Sequence, residues 1–296
     1  MQARVSESRA FPHYDPAQQY EVKVFDLVYR RDAAQEWLVR IYQPQGAGPF
    51  PALLDVHGGA WSAADRTSNA PMDQALAASG LLVAAIDFRL APAHPYPASI
   101  SDVNFATRWL KAHAAELGAD PRGLGALGSS SGGHMVMLSA MRPRDPRYAA
   151  LPLPEAPEAD ATLAYVLALW PILDPYRRYQ FAQETGRTEL VTRTEGYFRT
   201  PEAMQEGNPQ GVLDRGEPAE LPPTLIIQGT ADNNLPLDMI ERFVASYRAA
   251  GGTIELELFP GMPHGFGNTP GPEADRALEL MKRFIARQLA RLAAAA

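Results

Sequence analysis

The chain has 296 residues, 46% of them apolar, which is ample for a substantial buried core in one large domain or two small ones. A formal net charge of −7 disfavours nucleic-acid binding, which relies on a basic face that releases counterions from phosphates. Cysteine is absent, so disulfides, thiolate metal sites and a cysteine nucleophile are excluded.

The N-terminal residues 1–19 have no apolar h-region and are expected to form an arm. No stretch reaches the roughly 18 uninterrupted apolar residues of a membrane span, so a chain without one, in the cytoplasm, is the expectation. From Tyr20 to Pro44, EVKVFDLVYRR and EWLVRIYQP alternate as an antiparallel hairpin would. Three nearly continuous apolar runs follow, PALLDVHG, LLVAAIDF and LGALGSS, with an amphipathic stretch Ser99 to Leu117 between the second and third. Such runs alternating with helices predict a mostly parallel sheet, buried on both faces. The rhythm continues with a helix from about Gly132 to Met141, strands TLAYVLALW and PTLIIQG, a helix Leu237 to Ala249, strand TIELELF and a last helix from Pro272. Eight strands result. Between Pro175 and about Leu221 the strand rhythm lapses, and a lid-like insertion with short helices is expected there. No repeat, linker or composition shift marks a second domain, so residues 1–296 are read as one α/β domain.

The central motif is Gly128-Ser129-Ser130-Ser131-Gly132, a G-x-S-x-G pattern. A five-residue match is a weak signal alone, but this one leaves an apolar strand and opens a helix, the setting of a nucleophile elbow. Glycines at either end let the backbone turn sharply and leave the Ser130 hydroxyl exposed at a helix N-terminus. Ser129 and Ser131 flank it, and the backbone N–H of Ser131 is the part assigned to stabilising an oxyanion. His57-Gly58-Gly59-Ala60-Trp61 follows the strand PALLDV, where the amides of Gly58 and Gly59 would serve the same purpose. Gly-Gly also suits a plain turn; the preceding buried strand and the elbow together favour the functional reading.

A serine hydroxyl needs a base, and the base needs a carboxylate partner. Asp232 leaves the strand TLIIQG at its C-terminal edge, and His264 in Pro263-His264-Gly265-Phe266 is the only histidine after it. Asp238 competes with Asp232 but lies in the first turn of a predicted helix, where an acid simply complements the dipole. Among the other histidines, His13 and His113 read as solvated, His94 as structural, His57 as an anchor of its loop and His134 as support behind the nucleophile. None has metal-ligand spacing, and neither metal nor cofactor is expected.

Together with Asp87-Phe88-Arg89-Leu90-Ala91-Pro92-Ala93-His94-Pro95-Tyr96-Pro97, these motifs resemble the hormone-sensitive-lipase-like and bacterial feruloyl-esterase-like branch of the α/β-hydrolases, from about Phe50 to the C-terminus. The resemblance implies a carboxylesterase of the α/β-hydrolase fold. Its triad would be Ser130, Asp232 and His264, and its oxyanion hole Gly58, Gly59 and the Ser131 amide. Ala60 stands where the lipase-like branch usually has a third glycine, and Ser131 where alanine is common. The HGGAW form is also similar to the motif of kynurenine formamidases, so an amidase is the chemical alternative. A non-catalytic ligand-binding protein of the same fold is disfavoured because His264 is in place.

The expected partner is a small-molecule ester, of small or aryl type, and a homodimer is an admissible assembly. Candidate substrate contacts are Trp61, Tyr176, Phe198 and Phe266, although aromatics of the insertion would equally pack a small lid core. Arg177 and Arg178 could pair with an acidic substrate, with surface solvation as the preferred reading.

Overall fold

The structure is a computed structural model that describes residues 11–33 and 35–296; residues 1–10 of the expected N-terminal arm lie outside the described residues. Its strands are β1 (Val22–Arg31), β2 (Glu36–Pro44), β3 (Phe50–Val56), β4 (Leu82–Ile86), β5 (Ala119–Ser129), β6 (Tyr165–Leu169), β7 (Thr224–Gly229) and β8 (Ile254–Phe259). They form one sheet in the order β1-β2-β4-β3-β5-β6-β7-β8. The β1/β2 hairpin pairs antiparallel with itself and, through β2, with β4; every other pairing is parallel. β3, β4, β6 and β7 are buried along their whole length, as their unbroken apolar runs require. β2 instead alternates over much of its length, with Trp37, Val39 and Ile41 turned inward.

The helices are α1 (Ala70–Ala78), α2 (Ala98–His113), α3 (Ser131–Met141), α4 (Pro175–Glu184), α5 (Thr188–Phe198), α6 (Pro201–Glu206), α7 (Pro209–Asp214), α8 (Leu237–Ala249) and α9 (Pro272–Ala295). α1 and α9 pack together against the sheet, while α2 and α3 form a second layer that α7 continues to α8. Among the described residues no helix is long and apolar enough to cross a membrane. Residues 175–214 carry four short helices, α4 to α7.

Two elements differ from the sequence reading. α1 was not foreseen, because its inward face is Met72, Asp73, Leu76 and Ala77, and a buried aspartate breaks the apolar period. α2 stops at His113 rather than Leu117, since the amides of Leu117 and Ala119 fold back onto Ala114 O and Gly118 takes a left-handed φ of 74°.

The segment Asp87 to Pro97 is structural. Asp87 accepts from the Arg66 amide and side chain, each at 2.9 Å. Arg89 donates its amide (2.8 Å) and Nε (3.0 Å) to Asp102, which is fully buried on α2. Arg30 Nη2 on β1 approaches the same carboxylate to 3.3 Å while its guanidinium lies 3.5 Å above the Trp37 ring. One buried carboxylate thus ties the hairpin, the segment after β4 and α2 together. Neutralising it by Asp102→Asn leaves two cations without their partner and should cost about 3–5 kcal/mol of unfolding free energy. Asp26→Asn, which breaks the more exposed pairs with Arg40 and Arg66, should cost about 1 kcal/mol or less. Urea melts of both variants check the difference, and equal losses would show that Asp102 is not the tie.

Candidate active site

β5 ends at Ser129 and α3 begins at Ser131, so Ser130 occupies the turn between them with φ 53° and ψ −116°. That left-handed backbone is strained for a residue with a side chain. It is held by the Ser130 amide donating to Leu169 O (2.9 Å) and its carbonyl accepting from Ile172 N (3.1 Å). Gly132 is required here: a Cβ at that position would stand 2.0 Å from Val56 O on β3. The close approach presses the elbow against the loop that follows β3.

In that loop Gly59, Ala60 and Trp61 have successive positive φ values of 105°, 49° and 61°. A Cβ on Gly58 would sit 3.2 Å from Ser130 Cβ, and one on Gly59 only 2.1 Å from Ala63 O. The Trp61 amide donates to Ser131 Oγ at 3.2 Å, stapling loop to elbow. His57 is the expected anchor: its ring stacks on Phe88 at 4.3 Å and its Nδ1 contacts Gly58 O at 2.7 Å. Burial lowers its pKa, which favours the neutral ring.

The loops after β7 and β8 are joined to each other. Ala231 N donates to Met262 O (3.0 Å), and Gly261 N to Thr230 Oγ1 (2.9 Å). This junction brings Asp232 to His264, whose Nδ1 lies 2.7 Å from Asp232 Oδ2. His264 Nε2 lies 3.0 Å from Ser130 Oγ. The second oxygen of Asp232 accepts from the Asn234 and Leu235 amides at 2.8 and 3.0 Å, and Gln228 Nε2 donates to Oδ2 at 3.0 Å. Burial works to raise the Asp232 pKa. The hydrogen bond and charge of His264, with the Gln228 and Asn234 donors, outweigh it and hold the carboxyl below its usual value. Asp238 is exposed in the first turn of α8.

Ser130 and His264 open on a crevice of about 340 Å³, walled by Trp170, Leu190, Arg178 and Arg193 and by the Gly58–Ala60 loop. The four aromatics expected to touch substrate do not line it. Trp61 is fully buried, stacked on Tyr197 at 4.9 Å, and its Nε1 donates to His134 Nδ1 at 3.1 Å. Phe198 packs against Trp61 (5.5 Å) and Tyr96 (5.6 Å). Tyr176 faces a separate groove shared with Arg147 and Glu206. Phe266 backs Trp170 from outside the crevice at 5.3 Å. The physical reason is burial: Phe198 and Trp61 pack with Tyr96, Tyr197 and His134 where the insertion meets the body of the domain, and Phe266 packs against Trp170 and Phe259. His134 does support the elbow: burial lowers its pKa to about 4, and the neutral ring bridges Trp61 to Gly207 O (2.7 Å) on the insertion. His13 is exposed, whereas His113 is half-buried against Trp109, its Nδ1 2.9 Å from Trp109 O.

The sequence reading missed Arg193 and Trp170 and treated Arg178 as a surface residue. Leu190, Thr194 and Tyr197 recur at helical spacing, and that period places Arg193 beside the inward face of α5. Nothing in the sequence singles out Trp170, which simply ends a strand. Among the described residues no cluster of three His, Cys, Asp or Glu could hold a metal ion.

With this geometry in view, the BD-FAE family model matches residues 39–246. The chain belongs to the BD-FAE family. It is 31% identical over 281 residues to Esterase LipC of Mycobacterium tuberculosis, covering 90% of this chain and 66% of that protein. Carboxylesterase NlhH of the same species is 30% identical over 284 residues, covering 90% of this chain and 81% of NlhH. Esterase 2 of Thermogutta terrifontis, in a propionate-bound structure, superposes with a TM-score of 0.69 at 26% identity, covering 91% of this chain and 94% of that one. The family member described here therefore sits in the hormone-sensitive-lipase-like carboxylesterase branch of the α/β-hydrolases. It spans about two thirds of the length of LipC.

Behind the elbow lies a buried acid pair. Asn69 Nδ2 donates to both oxygens of Asp55 (2.9 and 3.2 Å) and lies 3.4 Å from Ser129 Oγ. Asp73 is fully buried, and among the described residues neither of its oxygens has a hydrogen-bond partner. Burial raises both pKa values, and the proximity of Asp55 raises Asp73 further. The folded state thus keeps protons that the unfolded chain releases near pH 4. Stability from these groups is complete below that pH and is lost as pH rises toward their folded pKa values. The melting temperature should fall between pH 5 and 8, and the fall should be smaller in Asp73→Asn. Parallel slopes for parent and variant in a calorimetric pH series would contradict this.

Proposed function

We propose that the chain hydrolyses carboxylic esters of small or aryl type through an acyl-enzyme on Ser130, with His264 as general base and Asp232 as its orienting carboxylate. The observation that carries the reading is the continuous relay from Asp232 Oδ2 through His264 to Ser130 Oγ, with links of 2.7 and 3.0 Å. Asp232 accepts the Nδ1–H, which fixes the tautomer and leaves Nε2 free to take the Ser130 proton. The alkoxide attacks the ester carbonyl, and its oxygen becomes a tetrahedral oxyanion. We assign the oxyanion donors to the amides of Gly58, Gly59 and Ser131. Ser131 supports this as the first residue of α3, where amides have no acceptor within the helix and the dipole favours negative charge. His264 then returns the proton to the leaving alcohol, and water, activated by the same base, releases the acid.

The crevice volume of about 340 Å³ lies at the small end of ligand sites, and Trp170 offers a single aromatic wall. Both features support short or aryl groups over long acyl chains, and the bound propionate and butyrate of the Thermogutta terrifontis esterase 2 structures are of that size. We further read the chain as one domain in which residues 175–221 cap the crevice, since α4 and α5 supply Arg178, Leu190 and Arg193 to its wall. The names of the relatives favour C–O over C–N cleavage.

A fluorophosphonate should add once, to Ser130, and peptide mapping that found Ser129 or Ser131 labelled would shift the elbow by one residue. On p-nitrophenyl acetate, Asp232→Asn should lower kcat by roughly 10³- to 10⁴-fold with a smaller change in KM. Asp238→Asn should stay within about threefold of the parent, because it removes only a helix-end interaction. The opposite ranking would identify Asp238 as the acid.

A further inference from the structure

Arg178 on α4 is 2% exposed, yet it lines the same crevice as Ser130 and His264. Its Nη1 donates to Thr194 Oγ1 at 3.0 Å, its guanidinium stands 5.9 Å from the Trp61 ring, and its Nε has no acceptor among the described residues. Among the described residues it makes no ion pair with a carboxylate. The comparison with Arg108, which is similarly buried, is informative: that side chain donates to Asn104 Oδ1 (2.9 Å) and Leu151 O (2.7 Å), so neutral acceptors satisfy it. Arg178 has one such acceptor and a fork that is otherwise open.

Two of the three ionic groups around it add positive charge, and the third is already engaged. The ionic groups that act on Arg178 are Arg187, Arg193 and Asp232. Arg187 donates only to neutral oxygens, Asn233 O at 3.0 Å and Asn234 Oδ1 at 2.9 Å. Arg193 is shared between Glu189 (2.8 Å) and the loop acceptors Gly59 O and Ser62 Oγ, each at 3.3 Å. Asp232 is fully committed to His264, Gln228 and two amides. Of the ionic side chains that line the crevice, Arg178 and Arg193 are guanidinium and Glu189, paired with Arg193, is the carboxylate, which leaves an excess of positive charge beside Arg178 in a chain whose net charge is −7. Burial lowers the Arg178 pKa to about 10, which leaves it cationic at neutral pH.

We propose that the Arg178 guanidinium binds a carboxylate carried by the substrate, so that the preferred esters are anionic. Half-esters of a dicarboxylic acid would place that group on the acyl side, and esters of a carboxyphenol would place it on the alcohol side. An unpaired buried guanidinium gains most from a ligand that completes its fork, since a planar carboxylate accepts two parallel N–H bonds in a site with little water. A neutral ester of the same shape leaves the charge buried and unpaired, which is how a polar site rejects an apolar analogue. The inference rests on the esterase reading of Ser130.

The test compares two isosteric pairs on the purified chain: mono-4-nitrophenyl glutarate against 4-nitrophenyl 5-methylhexanoate, whose isopropyl end matches the carboxylate in shape, and 4-acetoxybenzoate against 4-acetoxybenzamide. In at least one pair the anionic ester should have a kcat/KM about ten- to a hundredfold above its neutral partner, the factor expected of a charge-assisted hydrogen bond. In Arg178→Met that ratio should collapse to about one or below, and in Arg178→Lys it should fall part of the way. Free glutarate should also inhibit the parent's hydrolysis of 4-nitrophenyl 5-methylhexanoate more strongly than glutaramide does, a comparison that needs no variant to fold. Equal use of anionic and neutral esters in both pairs would overturn the proposal, as would a preference that survives in Arg178→Met or equal inhibition by glutarate and glutaramide. Failure of the underlying esterase reading looks different: no ester, neutral or anionic, would be turned over, and this proposal would fall with it.

Discussion

The absence of a side chain at Gly132 sets the distance between β3 and the turn after β5, and most of the site follows from that distance. With the first turn of α3 drawn against Val56 O, the Gly58 backbone comes close enough that a Cβ there would stand 3.2 Å from Ser130 Cβ, and the Trp61 amide reaches Ser131 Oγ. A larger residue at position 132 would push the elbow off the sheet and open the gap across which an oxyanion has to be held. The positive φ at Ser130 is the counterpart of this contact. Strain there is sustained because both backbone groups of the residue are tied to β6 and the segment after it, and because α3 is buried along its length.

A second set of contacts links the loop after β3 to the insertion. Trp61 lies between His134 on α3 and Tyr197 on α5, and Tyr197 in turn reaches Ser99 on α2 through its hydroxyl at 2.8 Å. The Tyr96 amide donates to Tyr197 O at 2.8 Å, and the Trp61 carbonyl accepts from Ala91 N at 2.9 Å. Side chains of three helices, α3, α4 and α5, meet on one indole. This explains why the HGGAW and DFRLAPAHPYP motifs occur together in one chain: the first shapes the loop, and the second forms the seat on which both the loop and the insertion rest.

The eight strands, the antiparallel hairpin and the three residues that meet in the relay are each marked in the sequence by a local signal, whereas the order of the strands in the sheet is not. Unbroken apolar runs mark strands buried on both faces, and a G-x-S-x-G pattern between strand and helix fixes a turn. Asp232 was separable from Asp238 on the same basis, by its place at a strand end and not inside a helix. The crevice wall was not legible, because it is assembled from α4, α5 and the end of β6, whose proximity depends on how the insertion folds over the sheet. Aromatic residues in such a segment are ambiguous from sequence, and here the hydrophobic effect resolves the ambiguity in favour of packing: Trp61, Tyr197 and Phe198 are buried together. Helix α1 was hidden for the converse reason, a buried acid on its core face.

That acid is one of several buried ionisable groups placed around the elbow. Asp55 and Asp73 lie behind it on β3 and α1, and Arg178 lies in front of it on α4. In each case burial disfavours the charged form, yet the two sides respond differently. The acids can take up a proton and become neutral, so their burial is relieved by pH. A guanidinium has no such route at neutral pH, and its relief has to come from an opposing charge. Since neighbouring side chains on the described residues do not supply one, the group in a position to do so is whatever enters the crevice beside Ser130.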